Sequence, residues 1–230
     1  MVSGGPDSAT LAKVVEQEIE RTGKEAPKVS AIYLRTGESS DDSEIEAASR
    51  IVEQIGGRLE IIDLTNAVSA LGGSRLLIHS EADLMPFGNG VALSIAMVYG
   101  LRIKAARIMI ALHADDAEEN VEYTRGFIDQ VEQLARFGQS SAPSIETPFI
   151  NMNKSQVFKL GLSLGVDYAR TWSCIRRGDV HCGICGACRA RRAAFVEAEG
   201  VDPTQYETEP AALGSLGTPP GPLVSALQDT

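Results

Sequence analysis

Apolar positions along this chain recur at two different periods, one typical of strands and the other typical of helices. Short apolar runs rich in β-branched residues predict buried strands over residues 29–34, 58–64 and 106–112. Longer segments, with apolar residues grouped on one helical face, predict helices over residues 9–23, 41–57, 89–103, 120–138 and 154–165. Strands that alternate with helices predict an α/β fold with a doubly wound, mostly parallel sheet. In such sheets, ligands bind beyond the carboxyl ends of the strands.

Polar residues near the helix starts predict where two of these helices begin. Ser43 is expected to cap the helix over residues 41–57, with Glu46 as its capping-box partner. Asn153 is expected to cap the helix over residues 154–165.

The stretch SGGPDS, residues 3–8, follows Met1 and Val2, which we interpret as the end of a further strand, and precedes the helix predicted over residues 9–23. A strand, a glycine loop and a helix in this order point free backbone N–H groups and the positive helix end at one place. Glycines also let the backbone approach phosphate oxygens closely. The stretch therefore predicts a phosphate-binding loop, although an ordinary capped turn between strand and helix has the same outline.

The side chains of this stretch narrow the prediction. Ser3, Ser8 and Thr10 can donate further hydrogen bonds to an anion. Asp7 is an unusual neighbour for phosphate unless it holds a cation or ties down the loop. The stretch has neither the Gly-Lys-Ser/Thr of a Walker A loop nor the G-x-G-x-x-G spacing of dinucleotide folds.

Composition bounds the class of protein. The chain has 230 residues, 43% of them hydrophobic, which suits one α/β domain with or without a small appendage. Neither a secretory leader nor an apolar run of the ~18 residues needed to span a membrane is present, so a cytoplasmic location is expected. A formal charge of −10 disfavours non-specific binding to nucleic acid, although it leaves room for a local basic pocket.

The four cysteines, Cys174, Cys182, Cys185 and Cys188, all lie in the last third of the chain. In a reducing compartment such clustering predicts a metal site rather than disulfides. Four thiolates suit a closed, structural Zn²⁺ site. An iron–sulfur cluster is the alternative, because ferredoxin-type runs share the two-residue spacing; Ala190 stands where such a run would continue to its fourth cysteine.

Two motifs that lie far apart along the chain resemble one enzyme family. S-G-G-x-D-S resembles the pyrophosphate loop of the PP-loop ATP pyrophosphatases, which split ATP between its α- and β-phosphates. The C-terminal part resembles the 7-cyano-7-deazaguanine synthase (QueC) family, which reads approximately T-W-S-C-Y-x-G, then C-G-x-C-x-x-C-x-x-R with a nearby Phe, then D-P-x-x-Y. The matching positions are Thr171, Trp172, Ser173, Cys174, Gly178, Cys182, Gly183, Cys185, Cys188, Arg191, Phe195, Asp202, Pro203 and Tyr206. The similarity runs from about Ser3 to Tyr206 and identifies the chain as a divergent member of this family.

The resemblance implies a reaction and its cofactors. ATP, with Mg²⁺, would adenylate the carboxylate of 7-carboxy-7-deazaguanine. Ammonia would then give the amide, and a second activation would dehydrate the amide to the nitrile. Zn²⁺ would be structural. Members of the family often form dimers, which implies a homodimer, although no residue of this sequence requires one.

The resemblance also implies roles for individual residues. Asp7, Ser8 and Lys154 would be catalytic, and the ATP contacts would come from Ser3, Gly4, Gly5, Asp7, Ser8, Ala9 and Thr10. The deazaguanine contacts would come from Asp116, Arg125, Thr171, Trp172, Ser173 and Arg191, and the zinc ligands would be the four cysteines. Lys154 could instead be a solvated first-turn lysine, and Trp172 could simply pack beside the zinc lobe. His113 could act as a base, but we interpret it as a polar residue at a strand end.

Three departures from the family pattern surround the expected acceptor side. They fall at Gly37-Glu38, at Pro86-Phe87-Gly88-Asn89 and at Tyr123-Thr124-Arg125. They leave two alternatives open. One is a QueC-like antiphage-defence enzyme that joins a deazaguanine to a protein amine acceptor. The other is a non-catalytic nucleotide or zinc-ribbon module, in which RNA could contact the arginines at positions 170, 176, 177, 189, 191 and 192. A solvated face with contacts to substrate anions is the favoured interpretation of these arginines, and nucleic acid is not the expected partner.

The sequence divides into three expected parts. Residues 1–170 are predicted to form the PP-loop ATP-binding α/β domain, and residues 171–206 the small four-cysteine zinc lobe. Residues 207–230, rich in Pro and Gly, are predicted to form an extended tail that lies on a neighbouring part of the protein.

Overall fold

A computed structural model of the chain describes residues 1–22, 29–72 and 86–209. The four strands are β1 (Ser30–Arg35), β2 (Arg58–Asp63), β3 (Arg107–Met109) and β4 (Ser144–Glu146). The eight α-helices in these ranges are α1 (Pro6–Thr22), α2 (Asp41–Gln54), α3 (Thr65–Ala70), α4 (Gly88–Ile103), α5 (Ala114–Glu119), α6 (Arg125–Gly138), α7 (Lys154–Ser163) and α8 (Gly186–Glu197). Single 3₁₀ turns span Val121–Tyr123 and Tyr168–Arg170.

The strands pair in parallel around the N-terminal residues. β1 pairs with β2 and β3 pairs with β4, both in parallel register. Met1 and Val2 bridge the two pairs, because the Val2 N–H donates to the Ile32 carbonyl at 3.0 Å and the Met1 amino group donates to the Met109 carbonyl at 2.8 Å. The two parallel two-stranded sheets are therefore joined through residues 1–2 in the order β2, β1, residues 1–2, β3, β4, and the mostly parallel arrangement predicted from the sequence is confirmed.

Helices cover both faces of the sheet because neighbouring strand residues point to opposite sides. On one face, Leu93 of α4 and Ile128 of α6 share a buried cluster with Ile108 of β3. On the other face, Leu11 of α1 and Val157 of α7 pack in a second cluster, joined by residues including Met109. The doubly wound arrangement sets the carboxyl ends of the central strands at the start of α1.

Several helix boundaries differ from the sequence predictions. The predicted cap Ser43 is wrong: Ser40 is the N-cap of α2, and the Ser43 hydroxyl donates to the Gly178 carbonyl at 3.1 Å. α2 begins at Asp41, the first residue of the predicted range, and the Asp41 carboxylate accepts the N–H groups of Gly37 and Glu38 at 2.8 and 2.9 Å and so fixes the preceding loop. The Asn153 cap is confirmed, because its side chain accepts from the Gln156 N–H at 2.9 Å.

Two more helices depart from their predicted ranges. α1 begins at Pro6 rather than after Ser8, since proline at the first helical position loses no hydrogen bond there. The helix predicted over residues 120–138 is interrupted, because Thr124 caps α6 after the 3₁₀ turn.

The C-terminal lobe contains α8, which the sequence analysis did not predict. The predicted tail lies outside the described residues from position 210 onward. Within the described ranges, none of the helices is both long enough and apolar enough to cross a bilayer.

Candidate functional site

The glycine loop between Val2 and α1 is held by its own hydroxyl groups. The Ser3 N–H donates to the Ser8 hydroxyl at 3.1 Å, and the Gly5 N–H donates to the Ser3 hydroxyl at 3.3 Å. Gly4 has a φ of +76°, a conformation that side chains disfavour, and it packs directly on α2. These contacts turn the chain sharply into α1.

The turn leaves several backbone donors open at one point. Among the described residues, no group accepts a hydrogen bond from the N–H of Gly4, Asp7 or Ser8. The last two belong to the first turn of α1, a helix of 17 residues, where the macrodipole is positive. Open donors at the start of a long helix form an anion-binding site.

A cluster of charged groups lies beside these donors. Lys154, the first residue of α7, has its ammonium 3.5 Å from Asp7 Oδ2. His113 Nε2 lies 3.9 Å from the same oxygen, and its Nδ1 lies 3.4 Å from Asp116 Oδ2 and 3.9 Å from Asp115 Oδ2. The Asp115 carboxylate also accepts the Lys154 N–H at 2.8 Å, which ties α5 to α7.

Burial and charge act on the titration of two of these groups. Burial alone would lower the pKa of Lys154, but the carboxylates of Asp7 and Asp116 outweigh it and the pKa is raised. The ammonium therefore stays charged at neutral pH. Burial raises the pKa of Asp116, with the charge of His113 acting against it.

Two ATP-contact candidates face the protein interior. Thr10 is fully buried, and its hydroxyl lies 3.0 Å from the Pro6 carbonyl and 2.8 Å from the Tyr168 hydroxyl. Ala9 is also buried. Ser3, Gly4, Gly5, Asp7 and Ser8 form the turn itself, and their contact with a nucleotide stays a prediction.

The substrate candidates other than Arg191 fall into three places. Asp116 lies in the charged cluster, where it accepts the His113 N–H at 2.9 Å. Arg125 lies at the start of α6 and donates to the Ile145 carbonyl at 3.0 Å and to the Thr147 hydroxyl at 3.3 Å. Residues 171–173 run past the glycine loop into the lobe, and Ser173 has a buried hydroxyl with no partner among the described residues.

The four cysteine sulfurs converge in the lobe. All four thiols are buried and lie within 4.8 Å of one another, with 3.3 Å between the sulfurs of Cys185 and Cys188 and 4.0 Å between those of Cys182 and Cys188. Four sulfurs at about 2.3 Å from one tetrahedral ion lie roughly 3.8 Å apart, so the cluster has the size for a single ion. Hydrogen bonds from Cys174 and Cys188 hold the pKa of Cys185 far below its ordinary value.

Direct contacts join this lobe to the glycine loop. The Trp172 N–H donates to the Gly4 carbonyl at 2.9 Å, while its indole N–H donates to the Cys174 carbonyl at 2.8 Å. Further contacts link the lobe to the start of α2: the Ser39 hydroxyl donates to the Ile175 carbonyl, and Arg177 pairs with Asp42. Trp172 thus packs within the lobe, and its contact with substrate stays a prediction.

Arg191 is the centre of a second link. Its side chain is 1% exposed, and it donates to the Thr171 hydroxyl at 2.7 Å and to the Tyr168 carbonyl at 2.8 Å, with Asp202 at 3.5 Å. These contacts occupy the guanidinium with protein groups, so its predicted substrate contact has no support from this geometry.

Replacing Arg191 with alanine is expected to lower the free energy of unfolding by about 3–5 kcal/mol, because the Asp202 charge would lose its buried partner. Arg189→Ala, on the exposed face of the same helix, is the matched control and should change it by less than about 1 kcal/mol. Urea unfolding of both variants measures the difference. Equal stabilities for the two would contradict this structural role.

Two of the three sequence departures lie together. The Glu122 carboxylate accepts the N–H groups of Phe87 and Asn89 at 2.8 and 2.9 Å, so it caps the start of α4. The same contacts bring residues 86–89 next to Tyr123, which is buried. The departures from the family pattern at residues 86–89 and 123–125 are therefore neighbours in the structure.

The sequence analysis named His113 as a possible base but favoured a polar residue at a strand end, and it gave Asp115 no role. Neither residue belongs to a motif, and the grouping of His113, Asp7 and Lys154 brings together positions more than 40 residues apart in sequence. The placement of a polar residue straight after a predicted buried strand was the one signal that could have found them.

A glycine loop at the carboxyl end of a parallel sheet, with helices on both faces, defines an α/β protein of the PP-loop fold. The structure is similar to that of the U34-tRNA thiolase NcsA from Methanococcus maripaludis, solved with its [4Fe-4S] cluster, with a TM-score of 0.50 at 20% sequence identity over 74% of this chain and 57% of that one. The likeness shows the fold. The family model "Queuosine biosynthesis protein QueC" matches residues 1–199, and the chain belongs to this family, as the sequence motifs predicted.

Relatives named 7-cyano-7-deazaguanine synthase support the same assignment. The chain is 30% identical to the protein of Desulfotalea psychrophila over 219 residues, which cover 90% of this chain and 96% of the relative. It is 31% identical to those of Porphyromonas gingivalis and Methanospirillum hungatei, over 90% of this chain and 96% and 97% of the relatives.

Proposed function

We propose that this chain is an ATP-dependent carbon–nitrogen ligase that adenylates the carboxylate of 7-carboxy-7-deazaguanine. The observation that carries the proposal is the anion site formed by the open N–H groups of Gly4, Asp7 and Ser8, with the charged Lys154 beside it. The name shared by the relatives supplies the substrate class. In this proposal residues 1–170 bind the nucleotide and residues 171–206 form the metal lobe that supports it.

The chemistry requires activation because a carboxylate is a poor electrophile whose leaving group would be oxide. A carboxylate oxygen attacks the α-phosphorus of ATP, a new O–P bond forms, and diphosphate leaves. Ammonia then attacks the acyl carbon, AMP leaves, and the nitrogen loses a proton to give the amide. A second ATP adenylates the amide oxygen, and loss of AMP with the remaining nitrogen protons gives the nitrile.

The residues of the site have clear parts in this scheme. The open N–H groups and the ammonium of Lys154 bind the departing diphosphate, and Ser8 holds Ser3 in the turn. Asp7 Oδ1 is buried without a partner among the described residues, and a carboxylate oxygen is the ligand that Mg²⁺ prefers. When bound, Mg²⁺ neutralises charge that develops on phosphate.

No side-chain nucleophile is needed, and the four thiols are committed to a metal. We assign Zn²⁺, because the short distances between the sulfurs suit one tetrahedral ion. In a four-iron cluster each thiolate binds a different iron, which needs a wider spacing.

The predicted substrate residues differ in which of their polar groups are available to a deazaguanine. Ser173 has a buried hydroxyl left to offer a deazaguanine, whereas Thr171 and Arg191 bond to each other. Asp116 stays a candidate, although its Oδ2 already accepts the His113 N–H. The joint departure at residues 86–89 and Tyr123 favours a change on the acceptor side of the reaction. A protein amine in place of ammonia is therefore the second candidate.

Asp7→Asn is expected to lower ATP-dependent diphosphate release by about a hundredfold, because the amide has no charge with which to hold a cation. Release is measured with 7-carboxy-7-deazaguanine, ATP and ammonium, and the products are identified by mass spectrometry. Glu118→Gln, an exposed acid of α5, is the control and should keep the wild-type rate.

The products separate the candidate functions. Nitrile formation supports the ligase in its full form, whereas AMP release without nitrile, together with a deazaguanine adduct on an added protein, supports the protein amine. Absence of diphosphate release with any acid, accompanied by salt-dependent RNA binding, would overturn both and favour a binding module.

A further inference from the structure

His113 stands out because it is buried but incompletely bonded. The residue is 4% exposed, at the end of the segment that leads from β3 into α5. Its side chain faces the Asp116 N–H in a capping box at the start of α5, but Nδ1 makes no hydrogen bond of ordinary geometry with any of the described residues. A buried polar atom without a partner is costly unless a ligand or a neighbouring movement completes it.

The ring lies between two groups of carboxylates that come from different helices. Its Nε2 faces Asp7 of α1 at 3.9 Å, and its Nδ1 faces Asp115 and Asp116 of α5 at 3.9 and 3.4 Å. Lys154 of α7 approaches the same oxygen of Asp7, Oδ2, at 3.5 Å. The His113 ring and the Lys154 ammonium therefore both lie near the same oxygen of Asp7, Oδ2.

The other oxygen of Asp7, Oδ1, is buried and has no partner among the described residues. Oδ2 faces the Lys154 ammonium at 3.5 Å and the His113 ring at 3.9 Å, a contact too long for a hydrogen bond, so Oδ1 is the oxygen open to a ligand. Lys154 is a flexible side chain with 30% exposure, whereas the ring of His113 is enclosed. The rigid partner is the one able to fix the direction of Oδ1.

We propose that His113 is a positioning residue that orients Asp7 so that Oδ1 binds the divalent cation carried by the nucleotide. The proposal rests on the proposed function for the presence of a metal–nucleotide complex. Outer groups that orient metal ligands typically change metal affinity by about 10–100-fold when they are replaced. His113 should act on metal affinity in this way, with little effect on the affinity for metal-free nucleotide.

Two conservative variants separate the two ring nitrogens. His113→Gln keeps an amide nitrogen near the Nε2 position that faces Asp7, and His113→Asn keeps one near the Nδ1 position that faces Asp116. The proposal expects His113→Gln to stay within about threefold of wild type, whereas His113→Asn and His113→Ala weaken the cation site about 10–100-fold.

The measurement is Mn²⁺ binding in the presence of a non-hydrolysable ATP analogue, followed by electron paramagnetic resonance, with calorimetry of the analogue alone. Thermal unfolding confirms that each variant is folded. Equal Mn²⁺ affinities for the Gln and Asn variants, or wild-type affinity for all three, would overturn the role of His113. If wild type binds Mn²⁺ with the expected dependence on His113 but releases no diphosphate with any acid, the proposed function fails and the positioning role stands.

Discussion

Gly4→Ala is expected to abolish nucleotide binding and to lower diphosphate release by at least about a hundredfold. A Cβ at this position would lie 2.3 Å from the Glu44 carbonyl and 3.1 Å from the Ala48 nitrogen, both backbone atoms of α2. The residue also has a φ of +76°, which costs a side chain about 1–2 kcal/mol. Relief of both strains requires the loop to move away from α2, and the open N–H groups would then no longer converge. Each 1.36 kcal/mol lost from the transition state is about tenfold in rate.

Gly126→Ala is the matched control, because nothing lies within 4 Å of its Cβ position and its backbone is ordinary helix. It should keep wild-type affinity and stability. Calorimetry with a non-hydrolysable ATP analogue compares the two variants, and diphosphate release gives the rates. Wild-type affinity in Gly4→Ala would show that the loop is not the nucleotide site.

Removal of the metal, or Cys174→Ala, is expected to loosen the lobe and to weaken nucleotide binding at least tenfold. Cys174 is fully buried, and its sulfur accepts the N–H groups of Arg176 and Cys182 at 3.4 Å each. Structural zinc contributes about 10–16 kcal/mol in isolated zinc-finger peptides, which rivals the stability of a whole domain. Loss of the lobe also removes the N–H that Trp172 donates to Gly4.

The fluorescence of Trp172 reports directly on the loosening of the lobe, since it is the one tryptophan of the chain and packs within the lobe. Its fluorescence should shift to the red as the metal leaves, in step with the metal content measured by mass spectrometry. Ile184→Ala, at an exposed position between two of the cysteines, is the control and should retain metal and affinity. Unchanged fluorescence and nucleotide affinity in metal-free protein would contradict the coupling.

The sequence was sufficient for the features that depend on local pattern. The order of β1 to β3 and of the five predicted helices, the glycine loop and the thiol cluster followed from periodicity and spacing, because each is encoded in residues close together in the chain. The short elements β4, α3 and α5, and the helix α8 of the lobe, were not predicted. Errors arose where tertiary contacts, rather than local pattern, decide which residue caps a helix or which side chains meet. Ser43 was predicted to be a cap because its spacing fits, yet the helix has already begun at Asp41 and the Ser43 hydroxyl donates to Gly178 of the lobe.

The candidate site was only partly predictable for the same reason. Asp7 and Lys154 were identified through the resemblance, but their 3.5 Å approach depends on α1 and α7 packing together. Nothing local distinguishes His113 from a polar residue at a strand end. Arg191 lies at a motif position that suggested substrate contact, but its guanidinium donates to Thr171 and Tyr168 and lies 3.5 Å from Asp202, so that contact stays a prediction.

The hydrogen bond from Trp172 to Gly4 has a consequence for the metal itself. Coupling between two binding equilibria is reciprocal: if an occupied thiol site improves nucleotide affinity by some factor, bound nucleotide improves metal retention by the same factor. Copies of the protein that hold nucleotide should therefore give up their ion only at a higher chelator concentration than empty copies. In a cell short of the metal, the protein molecules that hold nucleotide would be the last to lose their metal ion.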